Sequence, residues 1–131
     1  MKFNEDLIFK GEAQQYAPEL LKLINIEGKI IKPLPTEYPD IEAKIYKPDL
    51  ILELEDKILI LEFQSTPVDS ADQRRFRHYT SLLDINIIKS KKYIELHVLS
   101  TIEPEQLKTY IINNYTKFPI PIHSLKSYDA N

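Results

Sequence analysis

Apolar and polar positions change rhythm several times along this chain. Between Lys47 and Ser65, the runs Leu50-Ile51-Leu52 and Ile58-Leu59-Ile60-Leu61 flank a charged point at Glu55-Asp56. That pattern predicts two strands joined by a tight reverse turn. Leu50, Leu52, Leu59, Leu61 and Phe63 would share one face, and Ile51 and Ile60 the other. A ribbon apolar on both sides belongs inside a sheet covered on both faces. Upstream, the spacing predicts a helix over about residues 4–15 and a second through Pro18 to Ile24, with Pro18 in its first turn and Leu20, Leu21, Leu23 and Ile24 facing a core. Gly28 is expected to end the helical part. Lys29 to Lys32 reads as extended, Pro33 and Pro35 as breaks, and residues 36–39 as a connection or bulged edge. Ile41 to Tyr46 alternates as a strand with one wet face.

Downstream, residues 69–83 predict a helix capped by Asp69 or Ser70, burying Phe76, Tyr79, Leu82 and Leu83. Tyr93 to Ser100 reads as a strand. His97 within it is expected to be a satisfied structural residue. Glu103 to Asn114 reads as a helix that Thr101 could cap, burying Leu107, Tyr110 and Ile111. Phe118 to His123 carries two prolines and is expected at a sheet edge, and residues 126–131 are expected to be loose.

The ribbon places two acids. Paired positions in a symmetric hairpin share a constant index sum, and Asp49 and Glu62 share the sum of the turn pair Glu55-Asp56. They are predicted to face each other, with Cβ atoms about 4.5–5.5 Å apart, and like charges so placed repel. Gln64, two residues on, points to the same face. A hard divalent cation such as Mg²⁺, which binds one or two carboxylates and keeps several waters, would relieve the repulsion. The alternatives are a rim position in water, or neutralisation by Lys47 or an arginine. Glu5, Glu12 and Glu19 read as solvated helix residues, with Glu12 a candidate additional metal ligand.

Composition narrows the classes. The 131 residues predict a single domain over 1–131, and 43% hydrophobic with 28% charged residues is ordinary for a globular protein. The absence of cysteine excludes a disulfide scaffold, a thiol nucleophile and cysteine-ligated zinc, and fits a cytoplasmic setting. No apolar run approaches the ~18 residues that span a bilayer. The acidic, mixed N-terminus does not read as a signal peptide. A formal net charge of −3 argues against broad attraction to nucleic acid, so any such contact needs a local basic patch. Two glycines leave no room for a phosphate-cradling loop. The basic patch on offer is Arg74, Arg75, Arg77 and His78, crowded into the first half of the helix after the ribbon. It is either a solvated face balanced by Asp69, Asp72 and Asp84, or an anion contact beside the carboxylates.

Pro48-Asp49, then Glu62-Phe63-Gln64-Ser65, then Arg74-Arg75-Phe76-Arg77-His78-Tyr79 resembles the PD-(D/E)XK nuclease superfamily, in its recombination-promoting nuclease and putative transposase branch. The likeness runs over roughly residues 36–84. It implies an α/β fold, a mixed central β-sheet flanked by helices with a restriction-endonuclease-like αβββαβ core. It also implies Mg²⁺-dependent hydrolysis of DNA phosphodiesters, with Mn²⁺ as a substitute and a link to recombination or transposition. Asp49, Glu62 and the backbone carbonyl of Phe63 would hold the metal. Arg74, Arg75, Arg77 and Tyr79 would contact DNA. Gln64 stands where the superfamily usually has lysine. It can orient a water but offers no charge. The rival expectation is a nuclease-fold module without chemistry that binds DNA or protein. DNA, rather than a membrane, is the expected partner, with a second copy of the chain as a further candidate.

Overall fold

The computed structural model describes residues 15–36, 48–87, 92–111 and 117–125. Helix α1 spans Ala17–Leu23 and α2 Ser70–Ile87. The strands are β1 (Ile30–Leu34), β2 (Leu50–Leu54), β3 (Lys57–Gln64), β4 (Tyr93–Ser100), β5 (Gln106–Ile111) and β6 (Lys117–Ser124). The fold is α/β: one six-stranded mixed sheet in the order β1-β2-β3-β4-β6-β5, with a helix on each face. β1-β2, β2-β3 and β5-β6 are antiparallel, and β3-β4 and β4-β6 are parallel. The helix and strand expected over 4–15 and 41–46 fall outside the described residues. Among those residues, no helix is long and apolar enough to cross a membrane.

The ribbon has the predicted register: Leu50 pairs with Leu61 and Ile51 with Ile60. Its alternation splits the core into two layers. Leu50, Leu52, Leu54, Leu59 and Leu61 pack with Ala17, Leu20 and Leu21 of α1. Ile51, Ile58 and Ile60 pack with Phe76, Tyr79 and Leu83 of α2. β3-α2-β4 is a crossover between adjacent parallel strands, so α2 starts at the carboxyl end of β3 and runs back across the sheet.

Asn25, not Gly28, ends α1. Asn25 adopts φ 56°, the Ile26 N–H donates to the Leu21 carbonyl at 2.9 Å, and the Asn25 N–H donates to that of Lys22 at 3.2 Å. This is a Schellman closure, and asparagine tolerates the left-handed conformation it needs. Asn25→Ala is therefore expected to cost about 1 kcal/mol and Asn25→Gly to be neutral, read from urea midpoints. Pro33 does not break β1, because β1 lies at the sheet edge, where a missing N–H is tolerated.

Two expectations fail at the C-terminal side. Residues 106–111 form strand β5, not a helix, pairing with β6 from Gln106↔Ile122 to Ile111↔Lys117. β5 is an edge strand, and Leu107, expected in a core, is 62% exposed. Thr101 caps nothing; the Ser100 hydroxyl instead accepts the N–H groups of Ile102 and Glu103 at 3.2 and 2.8 Å, turning the chain. β6 is not an edge but lies between β4 and β5. Pro119 and Pro121 share a parity, so their missing N–H groups fall on one side. Pairing with β5 covers Lys117 to Ile122, whereas pairing with β4 begins only at Ile122. The prolines therefore face the side on which β4 is not yet paired.

Candidate metal centre

Asp49 precedes β2 by one residue and Glu62 lies near the carboxyl end of β3. The register of the ribbon, extended one step from Leu50↔Leu61, sets them opposite each other. The Asp49 N–H donates to Glu62 Oε1 at 3.3 Å, and the Phe63 N–H donates to Asp49 Oδ2 at 2.9 Å. The two carboxyl groups also lie close enough to influence each other's charge. Glu62 is 5% exposed. Burial first, and then the charge of Asp49, hold its pKa well above the ordinary carboxylate range, with Arg75 offsetting part of the effect. Asp49 is exposed as a residue. Packing around its carboxyl still raises its pKa, against the Phe63 N–H, Glu62 and Arg75, but Glu62 is the stronger case. The opposed, repelling pair read from the sequence is present.

Gln64 is 9% exposed. Its Nε2 donates to Asp72 Oδ2 at 2.8 Å and to the Pro67 carbonyl at 3.2 Å. Both partners only accept, which fixes the amide with nitrogen toward them and leaves Oε1 as the polar atom for other use. Asp72 also closes the start of α2. The Asp72 N–H donates to Asp69 Oδ1 at 2.8 Å, and the Asp69 N–H donates to Asp72 Oδ2 at 3.1 Å. Asp69, rather than Ser70, is thus the N-cap, in a reciprocal capping box.

Arg75 is the cluster member turned toward the carboxylates. Its charge lowers the pKa of both. Its guanidinium lies 3.3 Å from Asp72 Oδ1 and 5.1 Å from the Phe76 ring centroid. Its Nε–H is buried without a hydrogen-bond partner. Among the described residues no acceptor meets it, and a buried donor left open is uncommon. Arg74, Arg77 and His78 are exposed on α2. Together with Ala71, Arg75 and Ser81 they line a depression of about 470 Å³. Arg74 Nε–H reaches the Tyr110 hydroxyl at 3.5 Å.

Tyr79 does not belong to that surface. It is 4% exposed and lies in the core, 6.3 Å from Phe76 between ring centroids, so its assignment as a DNA contact is corrected. It falls on the inward stripe of α2, three residues after Phe76. Glu12 and Lys47 lie outside the described residues. Lys92 is at the opposite end of β3 from the acids, bonded to Glu53 at 2.7 Å and to the Leu54 carbonyl at 2.8 Å.

Three further residues hold the start of α2 beside the site. Asp72 was visible as the third residue after a cap, the capping-box spacing. Glu103 and Lys108 carried no local signal. Glu103 accepts the Val68 N–H at 2.9 Å, Lys108 donates to the Val68 carbonyl at 2.8 Å, and the two pair with each other at 2.8 Å. Between them they grip both polar groups of the residue that leads into α2.

The donors on offer are all hard oxygens: Asp49, Glu62, the Phe63 carbonyl and Gln64 Oε1. That set suits Mg²⁺ or Mn²⁺, which need few protein ligands and keep water. No group of three or more His, Cys, Asp or Glu side chains gathers around one point among the described residues, so a cation here would meet two carboxylates and not a closed cage. Compared with models of known protein families and with curated proteins, the chain matches neither.

Proposed function

We propose that this domain is a Mg²⁺-dependent deoxyribonuclease acting on phosphodiester bonds. The supporting observation is the opposed pair of rim-exposed Asp49 and buried Glu62 beside an arginine whose Nε–H meets no acceptor among the described residues. Asp49 and Glu62 would hold the cation, with the Phe63 carbonyl completing the protein's share. A bound Mg²⁺ lowers the pKa of its water and polarises a phosphoryl oxygen. Gln64 Oε1 accepts a hydrogen bond from a water and orients it. Arg75 offers its open Nε–H to a phosphate oxygen, in a pocket where a positive charge is worth more than in bulk water. Arg74 and Arg77 supply positive charge along the strand's path, with the salt dependence of phosphate contacts.

One observation favours a second reading, a nuclease-like module that binds DNA or protein without cutting. Gln64 is a neutral amide whose nitrogen is already bonded to Asp72 and Pro67, so the position brings neither positive charge nor a free donor to the site. Nicking of supercoiled plasmid separates the two. The nuclease reading expects relaxed and linear products with Mg²⁺ or Mn²⁺ and none with EDTA. A chain that shifts DNA in a gel but leaves it intact with either ion is the binding module.

A further inference from the structure

On the sheet face away from the carboxylates, four side chains form a line. Glu95 Oε1 lies 3.1 Å from His97 Nε2, His97 Nδ1 lies 2.8 Å from His123 Nε2, and His123 Nδ1 lies 3.3 Å from Glu105 Oε2. The two rings are within 15° of coplanar with centroids 5.1 Å apart. That separation exceeds the N···N distance by about one ring width, so the rings meet edge to edge and do not stack. Every ring nitrogen is engaged. The imidazoles are mostly buried, with side chains 11% and 14% exposed, and the carboxylates at the ends are 42% and 62% exposed. Lys57 lies 3.4 Å from the other oxygen of Glu95, and the Ser124 N–H donates to the other oxygen of Glu105 at 2.8 Å.

We propose that His97 and His123 form a single proton-binding site: the pair takes up one proton, shared through the line Glu95-His97-His123-Glu105, and not two. The line has three links, each needing one proton, because carboxylates only accept and a ring nitrogen either donates or accepts. Two neutral imidazoles supply two protons. The link between the rings cannot be the empty one, since two lone pairs would then face each other at 2.8 Å. Both rings must therefore carry their proton on the same nitrogen type. Nε2–H on both satisfies the shorter Glu95 end and leaves the open end at Glu105, the more exposed carboxylate, where water can cover it. One added proton fills the third link. A second would set two N–H groups against each other. Burial disfavours charge on either ring, holding each below the ordinary histidine range, while Glu95 and Glu105 oppose that. The first proton therefore titrates with a midpoint that belongs to the pair and not to either ring, and the second is pushed far below it. The line ties β4 to β6 and to the turn before β5, close to where the pairing of β4 with β6 begins.

The test is an imidazole ¹⁵N titration of the full chain by NMR. The expected result is Nε2–H on both rings at high pH, a common midpoint as pH falls, and one proton in total. Opposite tautomers on the two rings, or a second proton taken up close to the first, would overturn the proposal. In His123→Leu, which removes the shared link, His97 should take a whole proton by itself. If that variant does not fold, the wild-type titration alone decides.

Discussion

Asp49→Ala and Glu62→Ala are each expected to reduce Mg²⁺-dependent nicking by ~100-fold or more, the scale of losing one preorganised charge-bearing group at a reacting centre. The two changes are not structurally equal, and that helps the test. Asp49 stands at the exposed rim, and its removal leaves the Phe63 N–H to water, so the fold should be little affected. Glu62 is enclosed, so Glu62→Gln should accompany Glu62→Ala, since it keeps the volume and removes the charge. All three should lose nicking, and Asp49→Ala and Glu62→Gln should do so with unchanged circular dichroism. Variants that nick at the wild-type rate would mean that the activity belongs to a contaminant.

Glu62→Gln should also raise stability when no divalent ion is present, by about 1–3 kcal/mol, the scale of a buried group with incomplete pairing. The sign follows from linkage. The folded-state pKa of Glu62 lies above its unfolded value, so the folded state binds the proton more tightly. The stability this contributes is fully present below the unfolded pKa and is lost as pH rises through the folded one. The variant keeps a neutral side chain at every pH, so its advantage over wild type should be largest above the raised pKa and shrink as pH falls. Comparing the two proteins at each pH cancels the other titrating groups. Excess Mg²⁺ should narrow the gap from the other direction, because a ligand of the folded state stabilises only the form that binds it. A Glu62→Gln protein that is less stable than wild type at pH 8 without metal would show that the carboxylate is already satisfied.

What could be read from the sequence follows the range over which each interaction acts. The ribbon is local: a short turn fixes its register, and with it the meeting of Asp49 and Glu62. The start of α2 is also local, written in Asp69 and Asp72. β5 was misread because Leu107, Tyr110 and Ile111 have helical spacing, while an edge strand can leave Leu107 in water without much loss. β6 was misplaced because proline was taken to exclude an interior position. The structure shows that two prolines of one parity blunt only one side of a strand. For Tyr79 helix periodicity and the family resemblance point opposite ways, and periodicity prevails: Tyr79 goes inward with Phe76 and Leu83. The contact of His97 with His123, and the grip of Glu103 and Lys108 on Val68, join residues 26 to 40 positions apart. No window of sequence displays contacts of that span.

That grip sets an order of assembly. The two acids are brought together by a hairpin that needs only its own turn, and such ribbons close early. The loop that delivers Gln64's partner and Arg75 is held at Val68 by residues from beyond β4. These can arrive only after the later strands have docked, at a larger entropic cost of closure. During refolding, the acids should therefore meet before the basic helix is fixed over them, and any ability to process a phosphodiester would be among the last native properties to return.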